Sequence, residues 1–309
     1  MRLSTAQLND VMLTSMQTST TGVNKAFIQL NSGEKMLKPS DDPLGSVQLM
    51  MLDREQATID QFQKNITNLK GELGQLESHL DGTNNALLRV EELTASILNA
   101  SNSTQDGREA IATELENLLD QLVDTANSKS SRGDYLFAGT MTQTEPVSRD
   151  PDTGKFVYLG NSEQREVRVA ESMTIPANQT ADALFFQGGD GSDGADIFNT
   201  LDELVTTLRD PSVDGESLTA KVTSAQSNID GTMQAVNQIW TAVGGDMSSL
   251  ESIGGSHEDN SLLNKNLISE VKDLDYSEAI LSLNTQMAAL QASQMTYSKI
   301  QNLSLFKMM

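Results

Sequence analysis

A strict heptad pattern of apolar residues runs from Ile59 to Ile97 and restricts the possible folds of this chain more than any other feature. With Ile59 at position a, ten of the twelve a and d positions are apolar, and no proline interrupts them. Spacing of three and four residues keeps these side chains on one face, which a partner helix can cover for about 58 Å at about 1.5 Å per residue. The pattern predicts one long helix in a coiled coil or helical bundle, and no chemistry is needed to explain it. The twelve positions are Ile59, Phe62, Ile66, Leu69, Leu73, Leu76, Leu80, Thr83, Leu87, Val90, Thr94 and Ile97.

Apolar residues at helical spacing recur after this segment. Further helices are predicted over residues 108–130, 197–208, 216–243 and 277–306. Two glycine pairs are interpreted as the ends of a loop over residues 244–255, after which Leu263 and Leu267 resume the helical spacing. The fold is therefore predicted to be mainly α, a long antiparallel coiled-coil or helical-bundle rod.

Residues 134–198 differ in composition and predict a small β-rich insertion. They hold seven of the aromatic residues and three of the six prolines. Residues 188–196 contain one copy of the G-G-x-G-x-D calcium motif, which we interpret as a flexible acidic loop because one copy cannot stack into a roll. The predicted strands are Tyr135–Ala138, Phe156–Leu159, Glu166–Ala170 and Met173–Ile175, with a turn at Pro151–Gly154.

Both ends of the chain carry a narrow apolar stripe on a polar and almost uncharged helix. Five buried apolar side chains contribute about 8–15 kcal/mol, whereas ordering about thirty residues costs at least about 30 kcal/mol of backbone entropy. We therefore expect an isolated arm to be disordered or marginally helical until a partner covers it. The stripes are Leu13, Met16, Thr20, Val23, Phe27 and Leu30, and then Ile280, Leu283, Met287, Leu290, Gln294 and Tyr297. We predict that their members other than Thr20 and Gln294, together with Leu303, Leu305 and Phe306, form the assembly interface.

The segment from Pro39 to Pro43 separates the first arm from the long helix. Pro39 disfavours continuation of the first helix, and Asp42 is placed to cap the next one with Pro43 at its first position. Asp41 and Asp42 could also form an acid–base pair, but no His or Lys constellation accompanies them. We interpret Asp41, Asp42 and Pro43 as a helix cap and domain junction.

The composition excludes several classes of function. Without Cys there is no disulfide or thiolate metal site, and the net charge of −22 argues against a nucleic-acid partner. No segment approaches the about 18 apolar residues of a membrane span, and the first thirty residues lack the apolar core of a cleaved signal peptide. His79 is interpreted as a solvated flank, and the loop cluster His257-Glu258-Asp259 as a weak metal candidate. With no catalytic set or nucleotide fingerprint, we expect no enzyme, cofactor or metal site.

Several segments resemble the bacterial flagellin superfamily. The N-terminal motif is Leu30-Asn31-Ser32-Gly33-Glu34-Lys35, followed by the Asp-Asp of residues 41–42. Residues 132–140 include Y-L-F-A-G, and residues 289–293 with 303–306 are similar to the C-terminal signature. Asp-Pro-Leu-Gly at residues 42–45, where flagellins usually have D-A-A-G, resembles the hook–filament junction branch more than the filament subunit. Residues 31, 34 and 35 depart from the usual motif.

This resemblance implies a secreted structural subunit at the hook–filament junction of the flagellum, exported by the type III route. It implies that residues 1–42 and 277–309 pair as a terminal coiled-coil assembly domain, that 43–133 and 196–276 form a rod, and that 134–195 project outward. The implied partners are the first hook-associated protein, flagellin, further copies in a ring, and a cytosolic export chaperone. Two alternatives stay open: a flagellin filament subunit, and a cytosolic coiled-coil scaffold whose ends would be stably helical in the monomer.

Overall fold

The computed structural model describes residues 5–97, 104–130, 132–187 and 195–306, with the side chains of residues 5, 6, 8, 9, 187, 195 and 300–306 excepted. Seven helices account for most of these residues. The helices are α1 (Thr5–Ser32), α2 (Pro43–Ile97), α3 (Gln105–Ala126), α4 (Ala181–Phe185), α5 (Ile197–Arg209), α6 (Gly215–Lys272) and α7 (Tyr276–Phe306). The strands are β1 (Val147–Arg149), β2 (Phe156–Tyr158), β3 (Glu166–Ala170), β4 (Met173–Pro176), β5 (Phe186–Gln187) and β6 (Ala195–Asp196). The predicted mainly α fold with a small β-rich insertion is confirmed.

The heptad pattern of α2 forms a buried seam from Ile59 to Ile97. Eleven of its twelve a and d side chains are buried, and Phe62 is half-buried. Thr83 and Thr94 are also buried, and each hydroxyl donates to a carbonyl one turn earlier, that of His79 and that of Glu91. Polar groups inside the seam are thus paired, as burial requires.

The chain divides into two compact units, Met1–Asp60 with Glu258–Met309, and Gln61–His257. In the second unit α3 runs antiparallel to α2, as two ion pairs show. Arg89 of α2 pairs with Glu114 of α3 at 2.7 Å. Glu72, which lies earlier in α2, pairs with Arg132, which lies beyond the end of α3. The side chain of Thr104 caps α3 by accepting from Gly107 N at 3.2 Å, so this helix begins three residues earlier than predicted.

The predicted loop over residues 244–255 is wrong, since α6 continues through both glycine pairs to Lys272. Val243 and Leu250 are buried, and Met247 and Ile253 pack against the same core, so the apolar spacing crosses the glycines without a break. Each glycine costs the helix about 1 kcal/mol relative to alanine. Packing of this face offsets that cost.

The β-rich insertion consists of three two-stranded antiparallel sheets, β1–β2, β3–β4 and β5–β6. The predicted strand Tyr135–Ala138 is wrong: only single bridges form there, from Tyr135 to Lys129 and from Ala138 to Thr180. The core beneath the sheets is aromatic, with Phe198 in ring contact with Phe156, Phe185 and Phe186 at 5.2–5.8 Å between centroids. Residues 188–194 of the predicted acidic loop lie outside the described residues.

Candidate assembly interface

The two terminal helices, α1 and α7, pair with each other in antiparallel orientation. At the end of α1, Gly33 lies beside Tyr276 at the start of α7, and further back Gly22 faces Gln286. A side-chain carbon at Gly22 would come within 2.8 Å of the Gln286 amide oxygen, so the glycine allows a close approach here. The predicted pairing of the terminal helices is confirmed.

The seam between the arms alternates large and small side chains. The three most buried members are small, Ser19, Ala26 and Ala279, at 9%, 4% and 6% exposure. Half-buried larger residues fill the intervening positions. Small residues let the two backbones approach, but they bury little apolar area, so the seam itself is a weak source of stability. In order, the seam positions are Met16, Ser19, Val23, Ala26 and Leu30, with Ala279, Leu283, Gln286, Leu290, Ser293 and Tyr297.

The stripes predicted from the sequence are offset by one position from this seam, so only half of their members face it. Met16, Val23, Leu30, Leu283, Leu290 and Tyr297 are half-buried. The exposed members are Thr20, Gln294 and four apolar residues, Leu13, Phe27, Ile280 and Met287, at 45%, 58%, 50% and 39%. The paired arms therefore present a second set of apolar side chains, which are exposed outside the seam. The side chains of Leu303, Leu305 and Phe306 lie outside the described residues.

A short backbone bridge ties the turn after α1 to the turn before α7. Lys35 N donates to Lys272 O at 2.8 Å, and Leu274 N donates to Gly33 O at 2.9 Å. Gly33 ends α1 at φ 72°, a left-handed conformation that glycine adopts without strain. An ion pair at 3.1 Å between Lys272 and Glu34 flanks the bridge.

The segment between α1 and α2 is held by two carboxylates. Asp42 Oδ1 accepts from Gly45 N at 3.0 Å, which is N-cap geometry for a helix with Pro43 at its first position. Asp41 accepts from Leu37 N at 3.3 Å, and its Oδ1 lies 3.1 Å from Lys25 Nζ. The hydrogen bond from the Lys25 ammonium lowers the pKa of Asp41 below its usual range. Both carboxylates thus have structural partners.

Where α2 and α6 pack together in the first unit, the buried positions are partly polar. Asn264, 3% exposed, donates to Leu52 O at 2.9 Å and to Gln56 Oε1 at 3.2 Å. Gln56 in turn donates to Ser261 Oγ at 2.8 Å. The sequence analysis did not identify this layer, because the apolar spacing there runs through Leu263 and Leu267, which the structure exposes at 59% and 37%.

Exposed apolar side chains are concentrated in the unit that contains both chain ends. Of the twenty large apolar side chains that are exposed in the described part of the chain, sixteen belong to this unit. The other four are Leu88, Met141, Leu159 and Met173. A monomeric protein rarely exposes so much apolar surface in one region, so this unit is the candidate interface.

The histidine cluster predicted as a weak metal candidate lies on α6 rather than in a loop. His257 Nε2 donates to Val169 O at 2.8 Å, and its ring stacks on Phe62 at 5.4 Å. Within the described ranges, no three His, Asp or Glu side chains are grouped so that they could hold a metal ion. In the same ranges, no helix is both long and apolar enough to cross a membrane.

Comparison with known proteins gives consistent matches over the whole chain. Residues 3–142 match the family model of the bacterial flagellin N-terminal helical region. Flagellar hook-associated protein 3 of Escherichia coli K12 is 30% identical, and that of Salmonella typhimurium LT2 is 28% identical, each over 100% of this chain and 99% of the relative. A solved flagellar hook-associated protein from Vibrio parahaemolyticus is 32% identical with a TM-score of 0.68, over 75% of this chain and 100% of its own.

Proposed function

Because the chain belongs to the family of flagellar hook-associated protein 3, a structural component of the bacterial flagellum, we propose that it joins the hook to the flagellin filament. The observation that carries this proposal is the concentration of exposed apolar side chains in the unit formed by both chain ends. Such a surface suits a subunit that is covered by neighbours on several sides.

The proposed roles of the domains follow the resemblance to this family, and the apolar surface supports the role of the arms. Residues 1–42 and 277–309 form the assembly domain, residues 43–133 and 196–276 form the rod, and residues 134–195 project outward. The outward faces of the arms, with Phe27 and Ile280, contact neighbouring subunits. The proposed neighbours are the first hook-associated protein on one side, flagellin on the other, and further copies of this chain in a ring.

Folding of the arms is proposed to be coupled to assembly. The chain leaves the cell through the flagellar type III channel with its arms unfolded, and a cytosolic chaperone covers the C-terminal arm before export. The small residues of the arm seam support this, since Ser19, Ala26 and Ala279 bury little apolar area. Contacts with neighbours then supply the missing burial, and the arms become helical at the junction.

Leu290→Asp tests the proposal. Leu290 is half-buried in the arm seam, and a carboxylate there would be desolvated without a partner, so the arm pair should not form. We expect flagellar incorporation and swimming to fall more than about ten-fold. The main urea unfolding transition of the purified chain should be kept, because the unit Gln61–His257 has its own core.

The matched control is Leu88→Asp, since Leu88 is 43% exposed in the other unit and should tolerate a charge. Normal incorporation of the Leu290 variant would contradict the proposal. Hydrogen exchange on the purified monomer adds a second test: we expect fast exchange before about residue 43 and after about residue 277. Full protection of both arms in the monomer would instead favour a finished scaffold.

A further inference from the structure

The long helix α2 carries a line of half-buried polar residues beside its apolar seam. With Ile59 at position a, Asn65, Glu72 and His79 occupy three successive g positions, which span about 21 Å at about 1.5 Å per residue. Residues at the g positions of a coiled coil commonly pair with the neighbouring helix. Here they contact the β-rich insertion and the residue that leads into it, and we call these three residues the docking stripe.

Both ends of the docking stripe contact the insertion directly. Asn65 Nδ2 donates to Arg168 O of β3 at 2.8 Å, and the ring of His79 lies edge-on to the buried ring of Phe137. In the chain, Phe137 comes before β1 and β2, and Arg168 comes after them. The insertion is therefore attached to α2 at two places about 21 Å apart along the helix, and not only where the chain enters and leaves it.

Glu72, the central member of the stripe, binds two positive charges with one carboxylate. Its Oε1 accepts from Arg132, just before the insertion, and its Oε2 accepts from Arg165, just before β3. The Glu72 side chain is only 16% exposed, and a shielded carboxylate attracts both cations more strongly than an exposed one. Without it, the two guanidiniums would repel each other. Asp134 Oδ2, 3.9 Å from Arg132 Nε, would offset only part of that repulsion.

A further contact comes from α6 and lies off the line of the docking stripe. The pairing of β3 with β4 shifts register between Arg168 and Ala170, so that Val169 is an extra residue on β3. The carbonyl of this extra residue accepts from His257 Nε2 at 2.8 Å, and its side chain is fully buried. Contacts along one line still permit rotation about that line, and a contact from a second helix removes this freedom.

We propose that the docking stripe and His257 together hold the β-rich insertion in one fixed orientation on the rod, and that this attachment depends most on Glu72. Exposed apolar side chains of the insertion, such as Met141 and Leu159 at 44% and 47%, then keep a fixed position relative to α2. All of these residues belong to the unit Gln61–His257, so the attachment exists whether or not the arms act as proposed.

The chain has no Cys, so two introduced thiols can be spin-labelled without background. We would label Leu88→Cys on α2 and Leu159→Cys in the insertion, which are 43% and 47% exposed, and measure the distribution of distances between the labels in the full chain by double electron–electron resonance. We expect one narrow distribution. Its width should increase at least about two-fold in Glu72→Gln, because the two guanidiniums then repel each other and further orientations become populated.

A second substitution separates the charge of Glu72 from its shape. Adding Arg165→Gln to Glu72→Gln removes one of the two positive charges, so the distribution should become narrower again. Glu77→Gln is the matched control, because it removes the same charge five residues further along α2 and should leave the width unchanged. If Arg165→Gln does not narrow the distribution, the role assigned to Glu72 is wrong.

Asn65→Asp is an independent variant, which keeps the shape of the side chain but places a carboxylate oxygen against Arg168 O. It should also broaden the distribution, and it provides the test by itself if Glu72→Gln does not fold. The inference is overturned if the labelled protein already shows a broad distribution without further substitution, or if neither Glu72→Gln nor Asn65→Asp broadens it. Equal broadening by Glu77→Gln would overturn it as well.

Discussion

His79 lies half-buried with its ring edge-on to Phe137, 6.2 Å between centroids, although its g position in the heptad predicts a solvated side chain. Burial disfavours the imidazolium and lowers the pKa of His79 from its ordinary value of 6.5. The unfolded chain therefore binds this proton more tightly than the folded chain does. The contribution of neutral His79 to the free energy of unfolding is therefore fully present above about pH 6.5, and it is lost as the pH falls through the folded-state pKa.

His79→Gln should remove this dependence. Between pH 7 and pH 5.5 the urea midpoint of the unit Gln61–His257 should fall more steeply in the unsubstituted protein than in the variant. Above about pH 7 the difference in urea midpoint between the unsubstituted protein and the variant should stay constant, because the side chain at position 79 is then neutral in both. Parallel curves over the whole range would mean that His79 keeps its ordinary pKa in the folded protein.

At the scale of elements, periodicity predicted the helices that bury large side chains. Every a and d position of α2 from Ile59 to Ile97 is buried except Phe62, which is half-buried. The heptad predicts this burial because its a and d side chains lie on the face of the helix that packs against other helices. The arm seam was predicted with an offset, because it uses Ser19, Ala26 and Ala279, whose small side chains give no hydrophobic signal. The polar layer around Asn264 was missed for a related reason: hydrogen bonds, not apolar area, decide its burial.

The glycine pairs of α6 were wrongly predicted to mark a loop, because the effect of a glycine depends on its backbone conformation, which the composition does not reveal. At Gly245 no atom lies within 4 Å of an added side-chain carbon, whereas at Gly33 φ is 72° and Tyr276 Oη lies 3.1 Å away. Tyr135–Ala138 has strand-forming residues but only single bridges, because no neighbouring strand continues the pairing. Local propensity does not contain that information.

The two glycines make a matched pair for mutation. Gly245→Ala should stabilise the protein by about 0.5–1 kcal/mol, since it removes backbone freedom in an exposed helix interior. Gly33→Ala should destabilise the arm junction by about 1–2 kcal/mol, since alanine is strained at this φ. Urea unfolding of the purified chain followed by circular dichroism measures the first effect, and urea dissociation of isolated flagella measures the second. Stabilisation by Gly33→Ala would show that the turn after α1 relaxes to another conformation.

At the scale of the whole molecule, charge and apolar surface oppose each other. Lys and Arg number 21 against 43 Asp and Glu, so copies repel each other at long range, and uncharged apolar faces oppose their approach least. Raising the ionic strength from 0.01 M to 0.1 M shortens the screening length from about 30 Å to about 10 Å.

Self-association of the purified chain, measured by sedimentation velocity, should therefore increase with salt over this range. Met51→Asp should weaken the response, because it adds a negative charge to residues 43–52, which carry none, and Leu88→Asp should leave it unchanged. Association that decreases with salt would instead indicate contacts made by opposite charges.

The backbone bridge between residues 33–35 and 272–274 has a consequence for how quickly the arms find each other. Where this bridge forms, it holds the bases of both arms together, so that the remaining residues of the two arms start side by side. Each arm meets the other at an effective concentration of about millimolar, set by the tether rather than by the amount of protein present. Pairing of the arms can therefore proceed from this end without a long search, and contacts with neighbouring subunits supply the burial that keeps the pair helical.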